Sequence, residues 1–92
     1  MGYVTRFTPH AQRDLLKIAR QDTLRILVRL SGLQKALDAE DTSAFDVRAL
    51  QGHPGRWRLR IGEYRAVYTI ESGQLVLWVL TVGNRREVYR GL

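Results

Sequence analysis

From Trp57 to Ile61 the chain alternates without exception between an apolar residue and an arginine: Trp57-Arg58-Leu59-Arg60-Ile61. A period of two does not fit a helix, whose faces repeat every 3.6 residues. It requires an extended strand with one apolar and one cationic face. Gly62-Glu63 follows, a two-residue turn with glycine first, as tight hairpins prefer. Tyr64 to Ile70 then reads as the returning strand, Ser72-Gly73 as the next turn and Leu75 to Val82 as a strongly apolar third strand. Arg86-Glu87-Val88-Tyr89 offers a short fourth. If Gly62-Glu63 is the whole turn, Ile61 pairs with Tyr64 and Arg60 lies directly opposite Arg65. Trp57, Tyr64 and Tyr68 then belong to the core. Val67, Trp78 and Leu80 share the arginine face, so part of that face is covered or floors a groove.

The first half has a different period. Val4-Thr5-Arg6-Phe7 reads as a short strand, and Thr8-Pro9 as a hydroxyl cap followed by proline at the first helical position. A helix to about Arg20 would carry Ala11, Leu15, Ile18 and Ala19 on one stripe. Asp22 is a candidate cap for a second helix over Thr23 to Asp38, with Leu24, Leu27, Val28, Leu30, Leu33 and Leu37 as its apolar face. Gly32 weakens that helix and permits a break. Residues 39–55 are polar and turn-rich, ending in Gln51-Gly52-His53-Pro54-Gly55. The expected fold is α+β. A short N-terminal strand and a two-helix hairpin pack on one face of a small twisted antiparallel sheet, in a single domain over residues 1–92.

Charge narrows the function. The chain has a net charge of +6, and its cationic residues are nearly all arginine, the exceptions being Lys17 and Lys35. Residues 47–92 carry eight arginines against Glu63, Glu71 and Glu87, whereas the first half is close to balanced. Arginine's planar fork suits phosphate. Like charges facing each other across a strand pair are unfavourable, so Arg60 opposite Arg65, beside Arg56 and Arg58, is a patch best relieved by a polyanion. Arg85, Arg86 and Arg90 follow on a chain returning to the same sheet. Tyr89 beside them offers a ring on which an unpaired base can stack. Other chemistries lack support. There is no cysteine. His10 and His53 have no metal-ligand spacing, and no nucleophile elbow or phosphate-binding glycine loop occurs. No apolar run approaches a membrane span, and Met1 to Arg6 lacks the apolar core of a leader, so a cytoplasmic location is expected.

Two segments carry a family resemblance. Leu50 through Tyr68, with its run Gly55-Arg56-Trp57-Arg58-Leu59-Arg60-Ile61-Gly62-Glu63-Tyr64-Arg65, and Val82-Gly83-Asn84-Arg85-Arg86-Glu87-Val88-Tyr89 resemble the RelE/ParE toxin superfamily, and within it the RelE branch. The resemblance covers almost the whole chain. It implies the toxin of a type II toxin–antitoxin system, a ribosome-dependent endoribonuclease (an mRNA interferase) that enters the A site. There it cleaves messenger RNA without metal or other cofactor, by attack of a ribose 2′-hydroxyl, and so inhibits translation. Arg58 and Arg60 match the two basic strand residues that activate the hydroxyl and stabilise the charged transition state, and Arg65 matches a phosphate clamp. Arg85, or Arg86 in its place, matches the residue that helps protonate the departing 5′-oxygen, and Tyr89 the residue that stacks on a base. Arg56, Arg86 and Arg90 would add RNA contacts.

The implied partners are the ribosome with its message and an acidic antitoxin, RelB-like or Phd/YefM-like. Operator DNA would be met only through the toxin–antitoxin complex, and no membrane is implied. Arginine replaces the usual lysines, and a guanidinium, which keeps its proton far above neutral pH, is a poor general base. Slower or more ribosome-dependent cleavage is therefore expected. Two other readings are a ParE-like inhibitor of DNA gyrase that is not a nuclease, and a weakly active member acting mainly as antitoxin partner in autorepression.

Overall fold

Residues 2–91 are described by a computed structural model, with side chains through Tyr89. The elements are β1 (Val4–Phe7), α1 (Pro9–Leu16), α2 (Arg20–Asp38), β2 (Val47–Ala49), β3 (Arg56–Ile61), β4 (Tyr64–Glu71) and β5 (Val76–Asn84), then a 3₁₀ turn over Val88–Gly91. The strands form one sheet in the order β1-β5-β4-β3-β2. The hairpin register is the expected one, with Ile61 opposite Tyr64 and Arg60 opposite Arg65. Gly62 takes φ +58, a conformation glycine adopts at no steric cost.

The sheet is mixed rather than wholly antiparallel, because β1 runs parallel to β5. A period of two marks a strand but not its direction, which is set by what the strand pairs with. β2 lies within the segment that reads as polar and turn-rich. Its three residues are too few to show alternation, and pairing with β3 alone makes them a strand. The expected fourth strand over residues 86–89 is instead a turn. The Asn84 side chain accepts hydrogen bonds from the backbone N–H groups of Arg86 and Glu87, at 2.9 Å each, and bends the chain out of the sheet.

Thr8 caps α1 as expected: its hydroxyl accepts from the Ala11 N–H and donates to the Leu80 carbonyl. The helix stops at Leu16, and α2 begins at Arg20 rather than behind an Asp22 cap. The Thr23 hydroxyl donates to the Leu15 and Ile18 carbonyls and fixes the corner. Asp22 sits in the first turn of α2, where a carboxylate suits the helix dipole, and accepts a hydrogen bond from the Tyr64 hydroxyl at 3.0 Å. Helix α2 does not break at Gly32. A Cβ there would lie 3.0 Å from the Phe45 ring, so the glycine makes room for a close approach.

The core lies between the helices and one face of the sheet. Ala11, Ile26, Leu30 and Leu33 meet Leu59, Ile61, Ala66, Tyr68, Leu77, Val79 and Val82. The buried seam of α2 is Ile26, Leu30 and Leu33, whereas Leu24 and Val28, expected on it, are 53% and 69% exposed. Trp57 is 40% exposed rather than core, because it stands toward the start of β3, beyond the cover of the helices. Beyond β1, α1 covers the bare edge of β5. The Asp14 carboxylate accepts from the Val82 N–H at 2.9 Å and the Thr81 hydroxyl at 2.8 Å, replacing a missing strand.

Tyr68 is 2% exposed in this core, and burial pushes its hydroxyl up to about 12. A tyrosine in the unfolded chain titrates near 10. Between about pH 10 and 12 the unfolded chain therefore loses a proton that the folded chain keeps, and stability falls as pH rises across that window. Thermal midpoints followed by circular dichroism should decline above about pH 10, and less steeply in Tyr68→Phe. Equal slopes would remove the assignment.

Candidate nucleic-acid interface

The helices cover one face of the sheet and leave the other open. Alternation places Arg48 on β2, Arg56, Arg58 and Arg60 on β3, Arg65 on β4, Trp78 on β5 and Arg6 on β1 on that open face. Arg48 stands directly opposite Arg58, a cation that sequence reasoning missed because only the β2–β3 register reveals it.

The guanidiniums do not all converge. The Arg58 side chain is only 12% exposed, and its Nη1 donates to both the carbonyl and the carboxylate of Asp46, at 3.2 and 3.1 Å. Asp46, exposed beside β2, is a second residue the sequence did not single out. Arg60 lies just past the last β2 pair, and its backbone N–H donates to the Asp46 carbonyl at 3.0 Å. Its Nε turns to the Gly62 carbonyl at 3.4 Å, and its side chain lines a depression beside α2 with Leu24, Arg25, Val28 and Arg29. Arg65 is half-buried on the central strand β4 and forms no ion pair among the described residues. Arg56 is half-buried at the start of β3.

Gly83 is the cross-strand partner of Arg65. Lacking a side chain, it lets the C-terminal turn settle on the open face, with the Val88 backbone nitrogen 3.4 Å from where a Cβ would stand. Val88 is 1% exposed and Val67 wholly buried, so the turn covers that part of the sheet and carries Tyr89, 41% exposed, to the Arg65 end of it. The expected covering of part of the arginine face is thus supplied by the chain's own C-terminal turn. Arg85 and Arg86 are exposed at the tip of the Asn84 turn. Both line a depression of roughly 450 Å³ with Glu63 and Asn84. The Arg90 side chain lies outside the described residues.

The arrangement is a cationic, partly aromatic sheet face with a cleft formed at a reverse turn. The sequence profile of the ParE toxin of type II toxin–antitoxin systems matches residues 5–89. The chain belongs to the ParE toxin family. Solved structures place this toxin's fold with those of RelE proteins. A free variant of the Escherichia coli toxin RelE is 23% identical, with a TM-score of 0.74 over 99% of this chain and 94% of that one. The toxin–antitoxin complex RelBE2 from Mycobacterium tuberculosis is 23% identical, with a TM-score of 0.73 over 92% of this chain and 100% of that chain. The archaeal RelE–RelB complex from Pyrococcus horikoshii is 23% identical, with a TM-score of 0.72 over 92% and 97%. No curated protein matches the chain by sequence. No helix among the described residues is long and apolar enough to cross a membrane.

Proposed function

We propose that this toxin acts as a RelE-branch endoribonuclease, cutting messenger RNA in the ribosomal A site. The observation that carries the reading is Arg65. Its guanidinium belongs to the central strand, without an ion-pair partner among the described residues, on a face the helices leave bare and next to the turn that presents Tyr89. In this reading the 2′-oxygen of one ribose attacks the adjacent phosphorus, a 2′,3′-cyclic phosphate forms and the bond to the 5′-oxygen breaks. Arg65 clamps the phosphate, and Arg58, together with Arg60 once its side chain swings back from the Gly62 carbonyl, adds positive charge where the pentacoordinate state accumulates negative charge. Arg85 or Arg86 neutralises the departing 5′-oxygen, which takes its proton from water. Tyr89 stacks on a base and holds the hydroxyl in line. Arg56 and Arg90 add phosphate contacts.

No arginine accepts the 2′-hydroxyl proton at neutral pH, so that proton passes to solvent or to the ribosome. The protein's part is then electrostatic and positional, and cleavage away from the ribosome is slow. Because Arg58 is held by Asp46, its contribution requires the message to compete with that carboxylate.

The structural relatives solved with RelB support an acidic antitoxin as partner, RelB-like or Phd/YefM-like, which blocks the basic face in the cytoplasm and brings operator DNA into play only as a complex. The match to the ParE profile supports a second reading, a gyrase inhibitor that cleaves nothing. The deciding experiment adds the purified toxin to ribosomes programmed with a defined message and maps the ends by primer extension. Cuts at the A-site codon are expected. An intact message together with blocked supercoiling by gyrase would replace this reading by the second.

A further inference from the structure

The open face continues well past the arginine corner. Arg56 on β3, Thr69 on β4, Trp78 on β5 and Arg6 on β1 are successive cross-strand partners, so they form one row across four strands. Their neighbours Leu77, Val79 and Phe7 pack into the core beneath, which turns the row outward. Trp78 thus stands half-buried on that face, one strand from Arg6 and two from Arg56, about 5 and 10 Å at ordinary strand spacing. Its one donor is satisfied, since the indole N–H donates to Glu71 at 3.0 Å, which holds the ring in place. Arg6 and Trp78 share a depression of roughly 320 Å³ with Gln12. Among the described residues neither Arg6 nor Arg56 forms an ion pair.

A held aromatic ring flanked by two uncommitted guanidiniums is what single-stranded nucleic acid uses: bases stack on the ring and phosphates meet the cations. Trp57 lacks this setting, because it lies on the other face, between Ala49 and Tyr68. We infer that Trp78, with Arg6 and Arg56, is a second subsite that stacks a base of the same RNA strand whose scissile phosphate lies at Arg65. The inference rests on the function proposed above. The row lies four residues along β4 from Arg65, roughly 13 Å, so the base it takes is a few nucleotides from the cut. RNA too short to span that distance would not reach it.

The test uses the full chain with Trp57→Phe, which leaves Trp78 as the sole tryptophan. Its probes are 2′-O-methyl RNA oligomers of three and ten nucleotides, which lack the attacking hydroxyl. The decamer should quench Trp78 emission on binding and the trimer should not. Trp78→Ala should weaken the decamer about tenfold or more and leave the trimer unchanged, while Trp78→Phe restores most of the loss. Arg6→Gln should lower the salt slope of decamer binding by about one. Decamer binding without quenching, or with equal affinity in Trp78→Ala, would overturn the subsite, and A-site cleavage by the same protein would leave the endonuclease standing. Quenching by polyglutamate but not by RNA would also overturn it and assign the row to an acidic protein segment. Neither RNA binding nor cleavage would remove both proposals.

Discussion

Arg65→Ala should lower the rate of message cleavage on programmed ribosomes by about two to three orders of magnitude, the loss typical when one preorganised charge donor is removed from a transition state. The expected effect is larger than for its neighbours because of where each guanidinium is committed. Arg58 is already tied to Asp46, and Arg60 has swung toward α2. Arg65 is held on the middle strand of the open face, opposite Gly83 and under the turn that carries Tyr89. Its fork is positioned with no partner to give up among the described residues. Arg65→Lys keeps the charge but loses the two-pronged geometry, so it should fall between the two. Single-turnover cleavage at saturating toxin measures this directly. A rate for Arg65→Ala within about threefold of the parent's, set against the loss expected for a removed donor, would take Arg65 out of the chemistry.

Leu30→Ala should destabilise the fold by about 2–5 kcal/mol, the usual cost of emptying a buried leucine site. Leu30 is 1% exposed, at the centre of the seam between α2 and the sheet. A domain of this size has roughly 5–15 kcal/mol to lose, so the thermal midpoint should drop by roughly 15 °C. Val28→Ala, two residues away but 69% exposed, should change it little. The pair tests the orientation of α2 with an internal control. Similar midpoints for the two variants would mean that the seam has been misplaced.

The exposure of Val28 bears on what a periodic pattern conveys. Leucines and valines recur around nearly half of α2, and nothing local says which part of that arc meets the sheet. Ile26 completes the buried seam and is absent from the face expected from spacing, while Leu24 and Val28 flank a surface depression. The hairpin was legible to the residue because its signals are local: strict alternation on both sides of a glycine-first turn specify register and facing together. The Thr8 cap was legible for the same reason. Three residues of β2, the parallel sense of β1 and the turn at Val88–Gly91 were not, since each is decided by a partner far along the chain or by one asparagine side chain.

The same division runs through the candidate site. Composition and alternation determined that a strand would carry arginines on one face, that Arg60 would oppose Arg65, and that the second half of the chain would be strongly basic. Which guanidiniums stand ready was decided by tertiary structure. An aspartate on the approach to β2 ties Arg58, the Gly62 carbonyl turns the Arg60 side chain toward α2, and sheet order sets Arg6 and Trp78 in line with Arg56. The physical reason is reach. Backbone periodicity acts between neighbours, whereas ion pairs and cross-sheet rows join residues that share no local sequence.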